Sequence, residues 1–471
     1  MVFNKQMKKN LVTLSIVLAF LIQWNSYGQI IKKPNIIIIL VDDMGYADVG
    51  FNGCKDIPTP NIDRIATNGV KFTNGYVCFS VCGPSRAGLL TGRYPQRFGY
   101  ERNPQYRPHN PNMGLPKEEK TLAEALKQVG YTSGIVGKWH QGADISNHPL
   151  NRGFDEFFGH LGGGHAYFPE LLTIKDSYSV ENNEGESYKT WIMRNHEPIQ
   201  TKKYLTDEFT DEAVQFVERN KKEPFFLYLA YNAPHSPLQA TQEYLDRFPN
   251  IIDKKRKTYA AMVSAVDDGV GKLLDKLESL NLDKNTLVYF LSDNGGPEQN
   301  NGSDNGPLRE GKSSIYEGGY RVPFAMQWKG TVPSGDYDNP MSSMDIFATI
   351  AALSKTPIKA DCPLDGVNLI PYLTGKNKGI PHETIYLRKF DEKGYSVRHK
   401  NLKLVLKKDG VPQLYDLTKD IGEQNDIALQ YPDKVKKLEA IRKKWDSQLI
   451  APIFEGLIMS KESNKKQNNK D

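Results

Sequence analysis

The chain has 471 residues, 39% hydrophobic and 25% charged, and its 61 Lys and Arg against 56 Asp and Glu give a formal charge of +5. These proportions belong to a globular protein and exclude wholesale disorder; at about 100–200 residues per domain the length allows two to four units with an ample core. The small positive excess sits at the two ends of the chain, so composition offers no basic face for nucleic acid.

At the start, Lys5, Lys8 and Lys9 precede an apolar run from Leu11 to Trp24, with Asn25, Ser26 and Gly28 after it. This is the layout of a secretory signal peptide over residues 1–28. The run is about 14 residues, short of the roughly 20 that span a bilayer, and no later segment is long enough either, so stable membrane insertion is not expected. No cysteine follows the run, which argues against a lipid anchor and for cleavage near Gly28, with the product in the periplasm or the medium. Removing the three lysines lowers the formal charge from +5 to +2, and the solvated, lysine-rich tail within residues 456–471 accounts for the remainder.

Ile36 to Val41 is a continuous apolar, β-branched run, as expected of a strand buried on both faces of a parallel sheet, and it stops at Asp42-Asp43. Cys82-Gly83-Pro84-Ser85-Arg86 then leads into Ala87, Leu89 and Leu90. Pro84 suits the first position of a helix, which places Cys82 at or next to the N-cap, where unpaired amides favour an anion such as a thiolate or a bound sulfate. Arg86, one turn on, can aim its guanidinium at the same spot. Taken alone, Cys82 would read as a small buried hydrophobe and Arg86 as a surface cation.

Leu122 to Val129 reads as a helix, and Thr132 to Val136 as a short strand ending at Gly137-Lys138-Trp139-His140. Asp176 to Pro198 is polar and aperiodic, a surface excursion. Phe225 to Leu229 is a third strand, ending near Ala233-Pro234-His235; Tyr259 to Ser279 carries apolar residues at helical spacing; Thr286 to Leu291 is a fourth strand, ending at Asp293-Asn294-Gly295-Gly296. Alternating strands and helices predict an α/β fold with a mainly parallel central sheet flanked by helices, and in such sheets ligands bind beyond the carboxyl ends of the strands. From about Glu383 the pattern becomes short alternating strands at 395–398, 402–406 and 413–415 and a helix at 434–449, a small C-terminal antiparallel sheet with one helix. The expected division is a catalytic domain over 29–380, a C-terminal subdomain over 381–455 and a tail from 456.

Asp42, Asp43, Asp293 and Asn294 offer oxygen ligands only, a set suited to Ca²⁺ or Mg²⁺ and not to zinc. Of the four cysteines, Cys54, Cys78, Cys82 and Cys362, a modified Cys82 would leave three and at most one disulfide, whose pairing the sequence does not reveal.

The stretch Cys82-Gly83-Pro84-Ser85-Arg86 with Thr91-Gly92-Arg93 resembles the signature of the type I, formylglycine-dependent sulfatases, and Gly130-Tyr131 through Gly137-Lys138-Trp139-His140 resembles their second signature. The likeness runs from Pro34 to about Leu449 and departs at Gln141, where a Leu is usual, and at Lys419 to Glu423, where Asp-Pro-x-Glu is commoner. It implies the fold of the alkaline phosphatase superfamily and a sulfuric ester hydrolase whose Cys82 is converted to formylglycine (3-oxoalanine) by a formylglycine-generating enzyme or an anaerobic sulfatase-maturing enzyme. It further implies one cation, Ca²⁺ in preference to Mg²⁺, held by Asp42, Asp43, the modified Cys82, Asp293 and Asn294. Arg86, Lys138, His140, His235 and Lys312 complete the implied catalytic set: Lys138 and Lys312 on the sulfate, His235 as acid toward the leaving alcohol, His140 as base. Arg97-Phe98-Gly99-Tyr100-Glu101-Arg102-Asn103-Pro104 is similar to sulfatases of galactosamine 6-sulfate, and Arg152 to His165 contains runs found in bacterial polysaccharide sulfatases. The implied substrate is a sulfated carbohydrate of the ulvan, carrageenan or glycosaminoglycan type. Arg97, His160, His165 and Tyr167 are candidate sugar contacts; a mobile glycine-rich loop with incidental histidines is the equal alternative. A phosphodiesterase or phosphonate monoester hydrolase of the same superfamily and an inactive carbohydrate-binding homologue are the rival functions.

Overall fold

The structure, a computed structural model, describes residues 33–171, 190–358 and 360–456. The predicted signal peptide, most of the predicted excursion at 176–198 and nearly all of the tail lie outside those residues. Residues 34–456 belong to one compact unit.

The long apolar runs form the strands that the sequence predicts. The principal ones are β1 (Asn35–Val41), β2 (Thr132–Lys138), β3 (Glu156–His160), β4 (Phe225–Ala230), β5 (Thr286–Ser292) and β6 (Phe324–Gln327). Five are mutually parallel in the order β5-β1-β4-β2-β3, with Ile36 to Leu40 paired to Phe226 to Ala230 on one side and to Leu287 to Leu291 on the other. β6 runs antiparallel beside β5, and short strands extend both edges to ten strands among the described residues. Side chains on β1 alternate between two cores: Ile36, Ile38 and Leu40 belong to one, Ile37, Ile39 and Val41 to the other. A strand buried on both faces explains why no polar residue interrupts the run.

Among the helices, α1 (Cys82–Thr91) is buried along its whole length, and α2 (Leu205–Asn220) and α3 (Lys254–Ser279) pack together on the second core. α1 begins at Cys82 with Val81 as its N-cap, so Pro84 is the third helical residue and not the first. The shift is one that proline permits, since the amides of the first turn have no intrahelical partner in any case. Its ends are closed by residues distant in sequence or by glycine: Gly83 N–H donates to Asn103 Oδ1 at 2.8 Å, and Gly92 takes the left-handed conformation, φ 69°.

The C-terminal sheet is antiparallel and four-stranded, β7 (Thr384–Lys389), β8 (Gly394–His399), β9 (Leu402–Leu406) and β10 (Pro412–Asp416), with α4 (Pro432–Asp446) packed on it. A fully buried charge cluster ties this sheet to the rest. Lys403 on β9 pairs with Glu317 at 3.0 Å and Glu423 at 2.7 Å, and Glu423 also accepts from the Glu317 amide at 2.6 Å. All four cysteines are free thiols.

Candidate active site

The carboxyl ends of β1, β2, β4 and β5 deliver their polar residues to one place. Asp42 and Asp43 follow β1, Lys138 ends β2 with His140 just beyond, His235 lies past β4, and Asp293 and Asn294 follow β5; α1 brings Cys82 and Arg86 to them. The carboxylate oxygens of Asp42 and Asp43, Cys82 Sγ and a His235 ring nitrogen all lie within 4.8 Å of one another. Asp43 and His140 both have left-handed backbones, φ 66° and 55°, which non-glycine residues adopt at a cost that packing must offset.

Arg86 organises the acids. Its Nε donates to Asp293 Oδ2 at 2.9 Å, Nη1 donates to the Lys138 carbonyl at 3.2 Å, and Nη2 makes ion-pair contacts only, 2.9 Å from Asp293 Oδ2 and 3.6 Å from Asp42 Oδ2; none of these side chains is exposed. Lys138 Nζ bonds Asp42 Oδ2, and Lys312 Nζ grips Asp43, 2.6 Å from Oδ1 and 2.8 Å from Oδ2. Three carboxylates and three cations thus balance in formal charge inside a buried volume, which is the condition for burying either kind. Burial works against ionisation of Asp42, yet Lys138, His235, Arg86 and Lys312 together hold it well below the usual carboxylate range. Burial and the adjacent Asp42 push Asp293 up to about 7. Burial alone would depress Lys312, but Asp43 overrides it and keeps the ammonium protonated far above its ordinary range.

Cys82 contradicts the thiolate expected at a helix start. The side chain is 2% exposed, its Sγ lies 3.4 Å from Asp42 Oδ1, and burial followed by the Asp42 charge drives the thiol far above its ordinary range. Desolvation and a neighbouring carboxylate outweigh the helix dipole, so the residue as encoded is a protonated donor to Asp42.

Neither ring nitrogen of His140 has a hydrogen-bond partner among the described residues, and burial with Lys138 and Arg86 nearby holds the imidazole neutral. His235 Nδ1 meets the Ser236 carbonyl at 2.6 Å and Nε2 stands 3.5 Å from Asp43 Oδ2. A carbonyl only accepts, so Nδ1 carries the proton of neutral His235; Nε2 carries one only in the imidazolium, and burial outweighs the favourable Asp42 and Asp43 charges and holds the ring below its ordinary pKa. Lys312 Nζ and His235 are the members of the set with solvent access, 17% and 9% of the side chain.

The cation ligands predicted from the sequence are brought together. Asn294 Nδ2 donates to Asp43 Oδ1 at 2.8 Å, while its Oδ1 is fully buried with no partner among the described residues. A buried amide oxygen without a donor, beside three carboxylates, fits a hard divalent cation and not a structural hydrogen-bond network. Cys82 Sγ clusters with Asp42 and Asp43 of that set, and with His235, which the sequence did not put among the ligands.

The predicted sugar contacts are placed differently. The Arg97 guanidinium is taken up by Asp365, with contacts of 2.7–3.0 Å, and by Gln448 at 3.0 Å. His160, His165 and Tyr167 are all 0% exposed and present no surface to a sugar. His160 stacks over Phe209, and both His165 ring nitrogens meet carbonyls, of Ala166 and Thr190. The Tyr167 hydroxyl lies 2.7 Å from the carbonyls of both Asn232 and His235 and braces the loop that carries His235. Histidine and tyrosine in a glycine-rich segment gave no signal that separates such supports from surface contacts.

Two other supports are not legible as such in the sequence, where Asn301 is not singled out and Gln141 stands only as a departure from the usual Leu. Asn301 Nδ2 holds the Asp43 carbonyl at 3.1 Å, and Gln141 Nε2 holds the carbonyls of Gly83 and His140 at 3.0 and 2.8 Å, tying α1 to the histidine loop. A side chain on Gly163 would stand 2.8 Å from His140 Nε2, and one on Gly295 would collide with the Gly318 carbonyl at 1.7 Å, where the Asn294 turn crosses the loop of Lys312.

Comparison with known proteins agrees with this geometry. Residues 34–356 match the family model described as Sulfatase. The chain is 39% identical over 360 residues to mouse N-acetylgalactosamine-6-sulfatase, covering 72% of this chain and 66% of that protein, so it spans just under two thirds of that relative's length. It is 32% identical to the uncharacterized sulfatase YdeN of Escherichia coli, over 90% of this chain and 87% of that one. The solved structure of Ps i-CgsB in complex with k-i-k-neocarrahexaose superposes with a TM-score of 0.84 at 41% identity, covering 89% and 94% of the two chains.

Proposed function

Because the chain belongs to the sulfatase family, we propose that it is a sulfuric ester hydrolase acting on sulfated carbohydrate, with its chemistry at residue 82. The observation that carries this reading is the convergence of Cys82, three carboxylates, Arg86, two lysines and two histidines at the carboxyl ends of four strands. A relative named N-acetylgalactosamine-6-sulfatase and a neighbour solved with a neocarrahexaose support a carbohydrate sulfate ester as substrate, of the ulvan, carrageenan or glycosaminoglycan type. The charged and apolar layout of residues 1–28 supports export.

The encoded thiol is buried and protonated, which supports its replacement by formylglycine: the hydrated aldehyde supplies a hydroxyl nucleophile toward sulfur. Asp42, Asp43, Asp293, Asn294 and residue 82 would hold a divalent cation, calcium by its preference for a crowded oxygen set, which supplies positive charge to the sulfate oxygens. The chain's own residues do the rest. Lys138 and Lys312, both protonated, bind sulfate oxygens and stabilise their charge in a largely buried site. Arg86 fixes Asp293 and Asp42 so that neither swings onto the substrate. His235, in the fraction protonated at Nε2 beside Asp43, donates a proton to the departing alcohol next to Lys312, and neutral His140 accepts one at residue 82.

The test is sulfate release from aryl sulfate and sulfated oligosaccharides by protein made with a maturing enzyme, with mass spectrometry of the peptide spanning residue 82. An aldehyde in place of the thiol, and loss of turnover in Cys82→Ala with the fold retained, are expected. Full sulfate release by Cys82→Ala, or a large preference for aryl phosphate, refutes the reading.

A further inference from the structure

Beside Lys312 and the start of α1, a cleft of about 190 Å³ opens between the catalytic cluster and the C-terminal sheet. Val81, Asn103 and Lys312 line one side of it, and the turn that joins β7 to β8 lines the other. Two ion pairs cross its wall with an asymmetry. Arg102 is 14% exposed and anchored by the Phe454 carbonyl at 2.8 Å, whereas its partner Asp391 is 41% exposed. Lys389 is 9% exposed and anchored by the Ser313 carbonyl, whereas its partner Glu392 is 60% exposed. The fold holds both cations, and both carboxylates sit in an exposed turn. The Arg102 guanidinium forks onto Asp391 at 2.8 and 2.5 Å, yet both carboxylates are largely open to water and to competing anions, so an anionic ligand that offers the same paired oxygens and is itself held in the cleft can displace them. Between them Phe390, 43% exposed, turns an apolar ring into the same space.

Resting on the sulfatase reading above, we propose that this cleft is the saccharide subsite. Arg102 and Lys389 bind a second anionic substituent, a sulfate ester or a carboxylate, on the sugar whose reacting sulfate lies at Lys312 or on its neighbour. Phe390 covers an apolar sugar face, and Asp391 and Glu392 occupy the anion positions until substrate arrives. The substrate class is therefore a saccharide with at least two negative charges, not an isolated monosulfate. The guanidinium suits either oxyanion, because both offer paired oxygens to its fork.

The experiment measures calorimetric affinity of full-length Cys82→Ala protein for three matched saccharides: monosulfated, disulfated, and monosulfated with a uronate carboxylate. A doubly anionic saccharide is expected to bind about tenfold more tightly than the monosulfated one, the worth of a charge-assisted hydrogen bond. A disulfated or a uronate preference identifies the second group. Adding Lys389→Gln lowers that preference about tenfold, whereas Asp391→Asn and Glu392→Gln raise it about threefold by removing the internal competitor. A purely structural role moves all three variants downward together. Equal affinity for the three saccharides, or a preference lowered by loss of the carboxylates, overturns the proposal. Absence of sulfate release by the matured wild type refutes the sulfatase reading, while the affinity pattern still decides the subsite.

Discussion

Replacing Arg86 by Met tests whether the buried acids are held by charge. The substitution keeps the length and apolar volume of the side chain but removes the cation bonded to Asp293 at 2.9 Å and lying 3.6 Å from Asp42. Lys138 still answers Asp42 and Lys312 still answers Asp43, so the carboxyl left without its partner is Asp293, which is 1% exposed, already raised to about 7 with Arg86 present, and without it either buried as an unpaired charge or obliged to take up a proton. Breaking a buried pair from one side costs about 3–5 kcal/mol. A divalent cation among the same carboxylates restores the missing charge, and at a hundredfold over its dissociation constant it adds about 2.7 kcal/mol. Urea unfolding in chelator should therefore show Arg86→Met destabilised by about 3–5 kcal/mol, and calcium should stabilise the variant more than it stabilises the wild type. A loss below about 1 kcal/mol in chelator, or a gap from wild type that calcium leaves unchanged, refutes the charge balance drawn here.

Three further outcomes follow from local geometry. Gly163→Ala places a methyl 2.8 Å from His140 Nε2 and should cost about 1–3 kcal/mol while lowering kcat on aryl sulfate; unchanged kcat would show that the ring is free to give way. Lys403→Met leaves Glu317 and Glu423 buried without the ammonium between them, and denaturant unfolding should register a loss of about 3 kcal/mol. His382 bonds Asp345 at 2.7 Å; burial opposes its charge, but Asp345 raises its pKa above the ordinary value. The unfolded value is about 6.5, so the stabilisation is complete below that pH and disappears as pH rises through the raised folded value. His382→Gln should flatten that part of the stability profile, and an unaltered slope counts against it.

Much of the fold was legible because buried parallel strands need unbroken apolar runs: the starts of β1, β2, β4 and β5 were read to within a residue, as were their terminal Asp, Lys, His and Asn residues. β3, β6 and β7 escaped notice: glycine and charge interrupt Glu156-Phe157-Phe158-Gly159-His160, Phe324-Ala325-Met326-Gln327 is only four residues long, and Thr384 to Lys389 ends in two cations. Helix α2 escaped because acids and threonines interrupt its apolar face. The residues that converge at the candidate site were legible by type and position, but their supports were not. Gln141, Tyr167 and Asn301 act through backbone carbonyls, a role that any amide or hydroxyl of the right reach can fill and that leaves no sequence pattern. Arg97 shows the converse, since a cation in a suggestive motif is bound to Asp365, 268 positions away in sequence.

The disagreement over Cys82 bears on how the proposed site could form before residue 82 is modified. A helix start was expected to draw the thiol toward the thiolate, and burial beside Asp42 instead keeps it protonated. An anion at residue 82 would add a fourth negative charge to three carboxylates whose cations are already matched to them. A neutral thiol donating to Asp42 leaves that balance intact, so the encoded chain can fold around an inert residue. An aldehyde hydrate is likewise neutral and carries hydroxyl hydrogens where the thiol had one. In the proposed modification the thiol and one Cβ hydrogen give way to two hydroxyls, an oxidation that the maturing enzyme would carry out; the hydrate would give the cluster a nucleophile without altering its formal charge, and the ion pairs around the thiol would suit it unchanged.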